Sequence, residues 1–193
     1  SSSTFSYNSA SYGGAVYNYK EGMFTAISST FSNNSATHGG AVDMIGGTFT
    51  ASSSTFSWNS ATSGGAVWIG SGTFTANTCT FSGNSASSGG AVHNNSFTFT
   101  VNFSTFSGNS ASLGGAVSSY GTFTANTCTF SNNSATHGGA VYNNSGTFTT
   151  SSSTFSWNSA TSGGGAVYND GGTFTASSST FSYNSASYGG AVY

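Results

Sequence analysis

Thr48-Phe49-Thr50-Ala51-Ser52-Ser53-Ser54-Thr55-Phe56-Ser57-Trp58-Asn59-Ser60-Ala61-Thr62-Ser63-Gly64-Gly65-Ala66-Val67 decides the fold, because most of the remaining chain is this stretch again. Three signatures recur in fixed order. Phe-Ser-x-Asn-Ser-Ala occurs eight times, starting at Phe5, Phe31, Phe56, Phe81, Phe106, Phe130, Phe155 and Phe181. Gly-Gly-Ala-Val also occurs eight times, ending at Val16, Val42, Val67, Val92, Val117, Val141, Val167 and Val192. Phe-Thr recurs at Phe24, Phe49, Phe74, Phe99, Phe123, Phe148 and Phe174. The spacing stays between 24 and 26 residues. Its changes fall in connections: one residue more around Asn18 to Gly22, one fewer around Ser118 to Gly121, and an added Gly163. Loops absorb such changes and core strands do not.

Side-chain alternation separates inside from outside. In Thr48-Phe49-Thr50 the Phe points in and both Thr point out, and Phe56 points in between Thr55 and Ser57. After each Val comes a variable slot: Tyr17, Asp43, Trp68, His93, Ser118, Tyr142, Tyr168 and Tyr193. A slot that accepts Asp, Ser and Trp alike is predicted to face solvent, so Val faces in. These features predict an all-β parallel β-helix (β-solenoid) with about 25 residues and three short strands per rung, and about eight rungs. Columns of Phe, Phe and Val would stack at about 4.8 Å. A helical solenoid is excluded by Gly-Gly in every repeat, and a propeller blade needs roughly 40 or more residues. Residues 1–193 read as one uncapped domain.

Only 2% of the residues are charged: Lys20, Glu21, Asp43 and Asp170. A net charge of -2 gives no electrostatic reason for a nucleic-acid or anionic-membrane partner. The 16% aromatic content argues against disorder despite the low complexity. No apolar run approaches the roughly 18 residues of a membrane-spanning helix. The first residues show neither an initiator Met nor a signal peptide. The chain therefore reads as a mature product or an excised segment.

Polysaccharide-cutting β-helices need clustered acids and bases, often with a metal. Asp170 is expected about six rungs, roughly 29 Å, from Asp43, and Lys20 adjoins Glu21 in a loop. No catalytic triad can be built, so no enzyme, metal or cofactor is predicted. His38 and His137 share the slot before Gly-Gly about 19 Å apart and cannot share a metal. They and His93 read as surface histidines. Cys79 and Cys128 lie two residues before an inward Phe and two rungs apart. At about 9.6 Å they are too distant for a disulfide and should be buried free thiols.

The Asn of each Phe-Ser-x-Asn motif is predicted to form an internal amide ladder at a corner: Asn8, Asn34, Asn59, Asn84, Asn109, Asn133, Asn158 and Asn184. Gly-Gly supplies a second corner. Outward Thr form two columns. One runs Thr48, Thr73, Thr98, Thr122, Thr147, Thr173, and the other Thr25, Thr50, Thr75, Thr100, Thr124, Thr149, Thr175. This Thr-x-Thr array resembles the ice-binding faces of insect β-solenoid antifreeze proteins, although Thr also suits any outward strand position. The hydroxyls could equally carry O-linked glycans. Asn33, Asn94, Asn102, Asn132 and Asn143 each begin Asn-x-Ser, an N-glycan acceptor in a secreted eukaryotic context. Two outward aromatic columns, Tyr17, Trp68, Tyr142, Tyr168, Tyr193 and Tyr7, Trp58, Trp157, Tyr183, could stack on sugars or a neighbouring filament. Gaps at Ser118, Gly83 and Gly108 favour scattered lateral contacts over a continuous stripe.

Phe-x-x-Asn paired with Gly-Gly-Ala-Val resembles the repeats of chlamydial polymorphic outer-membrane proteins over the whole chain. That resemblance implies a right-handed parallel β-helix passenger, surface-exposed and adhesive, secreted through a C-terminal barrel. Neither end shows a polar cap, which solenoids require. The expectation is therefore an extracellular or cell-surface rod, a segment or subunit of a longer fibre or adhesin stalk. It would be glycosylated and self-associating end to end or laterally, with carbohydrate or ice as other partners and ice binding as the alternative function.

Overall fold

The computed structural model describes residues 2–193. It is an all-β solenoid of parallel strands with no helix. Eight Thr-Phe-Ser strands, from Thr4–Ser6 to Thr180–Ser182, form one sheet in chain order. They bound about seven turns at the spacing of stacked strands. Pairing is in register, identical residue on identical residue: Thr4 on Thr30, Phe56 on Phe81, Ser156 on Ser182. The Val strands and the Thr-Phe-Thr strands belong together to a second, twelve-stranded sheet.

Three separate strands per turn, as expected, occur in three turns; two turns merge two of the strands, and two add a short strand, Ser134–His137 or Ser159–Gly163. Val42–Ser52 and Val67–Asn77 each run unbroken through both segments of the second sheet. The residue two places after Val decides the difference. In these two turns it is Met44 or Ile69, both fully buried, and the strand continues. In four other turns an Asn amide closes the connection by donating to a carbonyl a few residues on, and in the remaining one the Ser119 hydroxyl donates to Gly121 O at 3.4 Å. Asn94 Nδ2 reaches Phe97 O at 2.9 Å, Asn143 Nδ2 reaches Gly146 O at 3.2 Å and Asn169 Nδ2 reaches Gly172 O at 2.7 Å. A short amide side chain closes a turn in just this way.

The core consists of the expected columns. Phe31, Phe56, Phe81, Phe106 and Phe130 stack with centroids 4.6–4.8 Å apart and rings within 6° of parallel. The second Phe column meets the first edge-on, as at Phe49 and Phe56, 6.2 Å apart at 79°. This combines two favourable aromatic geometries, stacked along the axis and T-shaped across it. Small residues fill what remains: Ala41, Ala66, Ala91, Ala116, Ala140 and Ala166 beside the Val column are all fully buried. The two glycines of the corner have different tasks. Gly64 is left-handed at φ 64°, and a Cβ there would strike the Val67 carbonyl. Gly65 has ordinary dihedrals, but a Cβ would strike the Gly90 carbonyl of the next turn.

The asparagines of Phe-Ser-x-Asn form a ladder from Asn8 to Asn184. In each step one Oδ1 accepts both the backbone N–H and the Nδ2–H of the preceding turn's Asn. For Asn59 onto Asn84 both distances are 3.0 Å. The second Nδ2 hydrogen of Asn59 goes to Phe31 O, 3.0 Å away in the turn before. Each interior amide is thus buried and fully bonded. Asn84→Ala would strand Asn59 N, Asn59 Nδ2 and Phe56 O. At about 1–3 kcal/mol for each orphaned group, it should lower stability by about 3 kcal/mol or more in urea unfolding. A loss under about 1 kcal/mol would show that these bonds do not hold the turns together.

Candidate functional site

Three surface features are built on this frame: the threonine array, an aromatic layer beside the Gly-Gly corner, and the row of residues between Ser and Asn in the Phe-Ser-x-Asn corner. In the threonine array, Thr48, Thr73, Thr98, Thr122, Thr147 and Thr173 pair in sequence, as do Thr25, Thr50, Thr75, Thr100, Thr124, Thr149 and Thr175. All lie at the surface, half-buried or exposed. The inward Phe between each pair leaves no freedom to slip, because a one-residue shift would turn the hydroxyls into the core.

The variable slot after Val was expected to face solvent. Asp43, Ser118, Tyr142 and His93 are instead buried there. The Gly-Gly corner brings the residue preceding it beside this slot, and Ser88 there bonds both His93 and Ser118. His38 lies 5.0 Å from the Trp68 ring, His137 lies 5.1 Å from Tyr168, and Ser88 Oγ lies 3.0 Å from His93 Nδ1. Tyr12 and Tyr17 meet in the first turn at 6.3 Å. The slot is therefore covered in four turns, half-buried at Trp68 and Tyr168 and open at Tyr17 and Tyr193, so its cover changes from turn to turn. His93 is a buried histidine, not a surface one.

Burial governs the chemistry of this layer. Both carboxylate oxygens of Asp43 lack a hydrogen-bond partner, and burial pushes its pKa up to about 7. His93 is pushed the other way, down to about 4, by burial and then by His38. Asp170, at the end of its strand, accepts from Tyr142 Oη at 2.7 Å. Burial, followed by that contact, raises the Tyr142 pKa to about 12. Among the described residues no three His, Cys, Asp or Glu side chains gather as a metal site. Cys79 and Cys128 are free and buried, as expected. They occupy a hydroxyl column in which Ser104 Oγ and Ser153 Oγ accept from their backbone N–H groups. Burial raises both thiol pKa values, that of Cys128 to about 11. A pocket of about 240 Å³ beside Phe5 and Phe24 is lined by Ser3, Thr25, Ala26, Ile27 and Ser29 and holds no titratable group.

The five Asn-x-Ser positions separate by burial. Asn94 and Asn143 are fully buried amides bonded to turn carbonyls and cannot accept a glycan in the folded chain, contrary to expectation. Asn102 is half-buried within a second amide row that sequence reading missed. Asn102 Nδ2 donates to Asn77 Oδ1 at 2.8 Å, and Asn126 Nδ2 donates to Asn102 Oδ1 at 2.9 Å. Asn at one offset in three successive copies was the available signal. Asn33 and Asn132 are exposed. The corner aromatics Tyr7, Trp58, Trp157 and Tyr183 are exposed as expected, at 80%, 68%, 58% and 72%. Of the other aromatic column, Tyr142 is buried and Tyr17 and Tyr193 are exposed.

The sequence profile of the Chlamydia polymorphic membrane protein repeat matches residues 2–19, 28–43, 72–95, 97–120, 122–144, 152–170 and 178–193, well over half of the chain. No curated protein and no solved structure gives a significant match.

The two perturbed groups give opposite pH dependences. Asp43 keeps its proton in the fold between about 4 and 7 while the unfolded chain releases it near 3.8, so its contribution falls as pH rises across that window. His93 stays neutral in the fold while the unfolded chain takes a proton below 6.5, so its contribution falls as pH drops from 6.5 toward 4. In the wild type the slopes oppose each other. Asp43→Asn should gain stability as pH rises from about 4 to 6.5, and His93→Ser should lose it from about 4 to 7. Parallel slopes for the two variants in urea titrations would contradict these assignments.

Proposed function

The chain belongs to the Chlamydia polymorphic membrane protein repeat family, and we propose that it is a non-catalytic rod of a cell-surface protein, a length of extracellular fibre or adhesin stalk. The observation that carries this reading is the unbroken register from Thr4 on Thr30 to Thr154 on Thr180. Each added repeat extends the molecule by about 4.8 Å and alters nothing in cross-section. Such a fold sets a length and presents a surface. Its acids and bases serve no common site, since Asp43 is buried, Asp170 engages Tyr142, and Lys20 and Glu21 sit together in one connection. The nearly ion-free surface suits display outside the cell, end-to-end or lateral self-association, and glycosylation at Asn33 and Asn132. Protease shaving of intact cells, with electron microscopy of the native full-length protein, tests this. Rods released from the surface are expected. Protection from protease, or compact particles without rods, would contradict it.

The threonine columns favour a second reading, ice binding. Seven threonines from Thr25 to Thr175 stand in register beside a parallel row, an uncharged array of hydroxyls and methyls at about 4.8 Å along the axis. If this array orders water on an ice lattice, the purified chain should show thermal hysteresis, abolished by Thr→Tyr changes at Thr75, Thr100 and Thr124. Absent hysteresis, or hysteresis that survives those changes, would remove this face from consideration.

A further inference from the structure

The residue between Ser and Asn in each Phe-Ser-x-Asn corner is left-handed in every turn. Its φ is 58° at Tyr7, 56° at Asn33, 57° at Trp58, 64° at Gly83, 63° at Gly108, 55° at Asn132, 58° at Trp157 and 55° at Tyr183. Gly and Asn take this conformation readily, and four turns use them. The other four carry Tyr or Trp, for which it is strained. These rings give the fold little in return, because more than half of each is exposed. Strain and exposed apolar surface together, at a position where Gly serves equally well, mark a row kept for contact with something else.

Geometry makes the row more continuous than its sequence. A Cβ on Gly83 would lie 2.8–2.9 Å from Trp58 ring atoms, so the indole lies over Gly83, and that missing side chain is its bed rather than a gap. Trp157 stacks on Tyr183 with centroids 4.4 Å apart and planes within 8°. Two flat aromatic platforms therefore stand four turns apart, about 19 Å along the axis. Between them lie Gly108, where an added Cβ would meet nothing within 4 Å, and the exposed Asn132. Exposed Ser60, Ser85, Ser110, Ser134 and Ser159 run alongside. None of the four charged residues is in such a corner; all follow Gly-Gly-Ala-Val.

We propose that this corner row binds an extended, uncharged polysaccharide, with sugar faces stacked on Trp58 and Trp157 and hydroxyls bonded to the intervening serines and Asn132. The chemistry matches on three counts. A straight row of contact groups in register, with two aromatic stations four turns apart, fits a linear repeating ligand. Aromatic faces with flanking hydroxyls and amides fit a molecule that is apolar on its ring faces and polar at its edges. A row without cations offers nothing to an anionic glycan and imposes no desolvated charge on a neutral one. The proposal rests on the surface-display reading for its biological setting, while its test on the purified chain is independent of location.

The experiment titrates the purified chain with cellohexaose, chitohexaose, mannohexaose and maltohexaose, following calorimetry and acrylamide quenching of Trp fluorescence, with polygalacturonate as the anionic comparison. At least one neutral hexasaccharide should bind and shield the tryptophans. Trp58→Gly combined with Trp157→Gly should weaken binding by about tenfold or more, close to 1.4 kcal/mol. Because the substitutions relieve strained positions, the melting temperature should hold or rise, and Thr75→Tyr on the other sheet should leave affinity unchanged. Failure of all four neutral sugars to bind would overturn the proposal, as would equal affinity in the double variant or tighter binding of polygalacturonate. A lowered melting temperature in the double variant would make the rings structural. Sugar-free association of the wild type that the double variant lacks would make the row a contact between copies. Binding by a chain absent from the cell surface would refute only the display reading.

Discussion

One side-chain amide, repeated, constrains everything else in this molecule. The Phe-Ser-x-Asn asparagine accepts from the turn before through Oδ1 and donates through Nδ2 both to the next Asn and to a Phe carbonyl in the turn before. These bonds are satisfied only when one turn lies on another without offset. In-register stacking then follows for every other column, and the Phe rings are brought face to face at about the strand spacing. The polar corner and the apolar core therefore select the same register. A buried amide with any partner missing would be costly, which is why the ladder fixes alignment more tightly than hydrophobic columns alone could.

Alignment of this kind turns sequence repetition into surface repetition. The Thr rows, the Ser rows and the left-handed corner all present their groups at one axial interval, so any partner they engage must itself be extended or lattice-like. The connections after Gly-Gly-Ala-Val are the exception. There most of the length variation falls, the connection is closed by Asn or Ser119 or the strand continues through Met44 or Ile69, and the buried titratable groups Asp43 and His93 are found. Variation is tolerated on this flank because the residue ahead of Gly-Gly adapts its cover to each occupant.

Much of this was legible in the sequence, for identifiable reasons. The Phe and Val columns could be read because period-two alternation recurs across copies. The amide ladder could be read because an Asn that never varies between polar neighbours has to be bonded. In the variable slot tolerance does not mean exposure at Asp43, His93, Ser118 or Tyr142, and Ser88, which bonds His93, is brought near only by the folded corner. The left-handed corners were hidden by Tyr7, Trp58, Trp157 and Tyr183, whose bulk argues against such dihedrals, although Gly83, Gly108, Asn33 and Asn132 in the same slot pointed to them. The corner at Ser28, Ser53, Thr78, Phe103, Thr127, Ser152 and Ser178 is also left-handed and carries no residue preference that would reveal it.

Side-chain amide hydrogen exchange, followed by NMR, tests the ladder most directly. The Nδ2 protons of Asn34, Asn59, Asn84, Asn109 and Asn133 should exchange as slowly as the backbone amides of the stacked strands, opening only with global unfolding, while those of the exposed Asn95 exchange freely. Ladder amides that exchange as fast as Asn95 would contradict the account, because turns held by open amides would have no reason to stay in register.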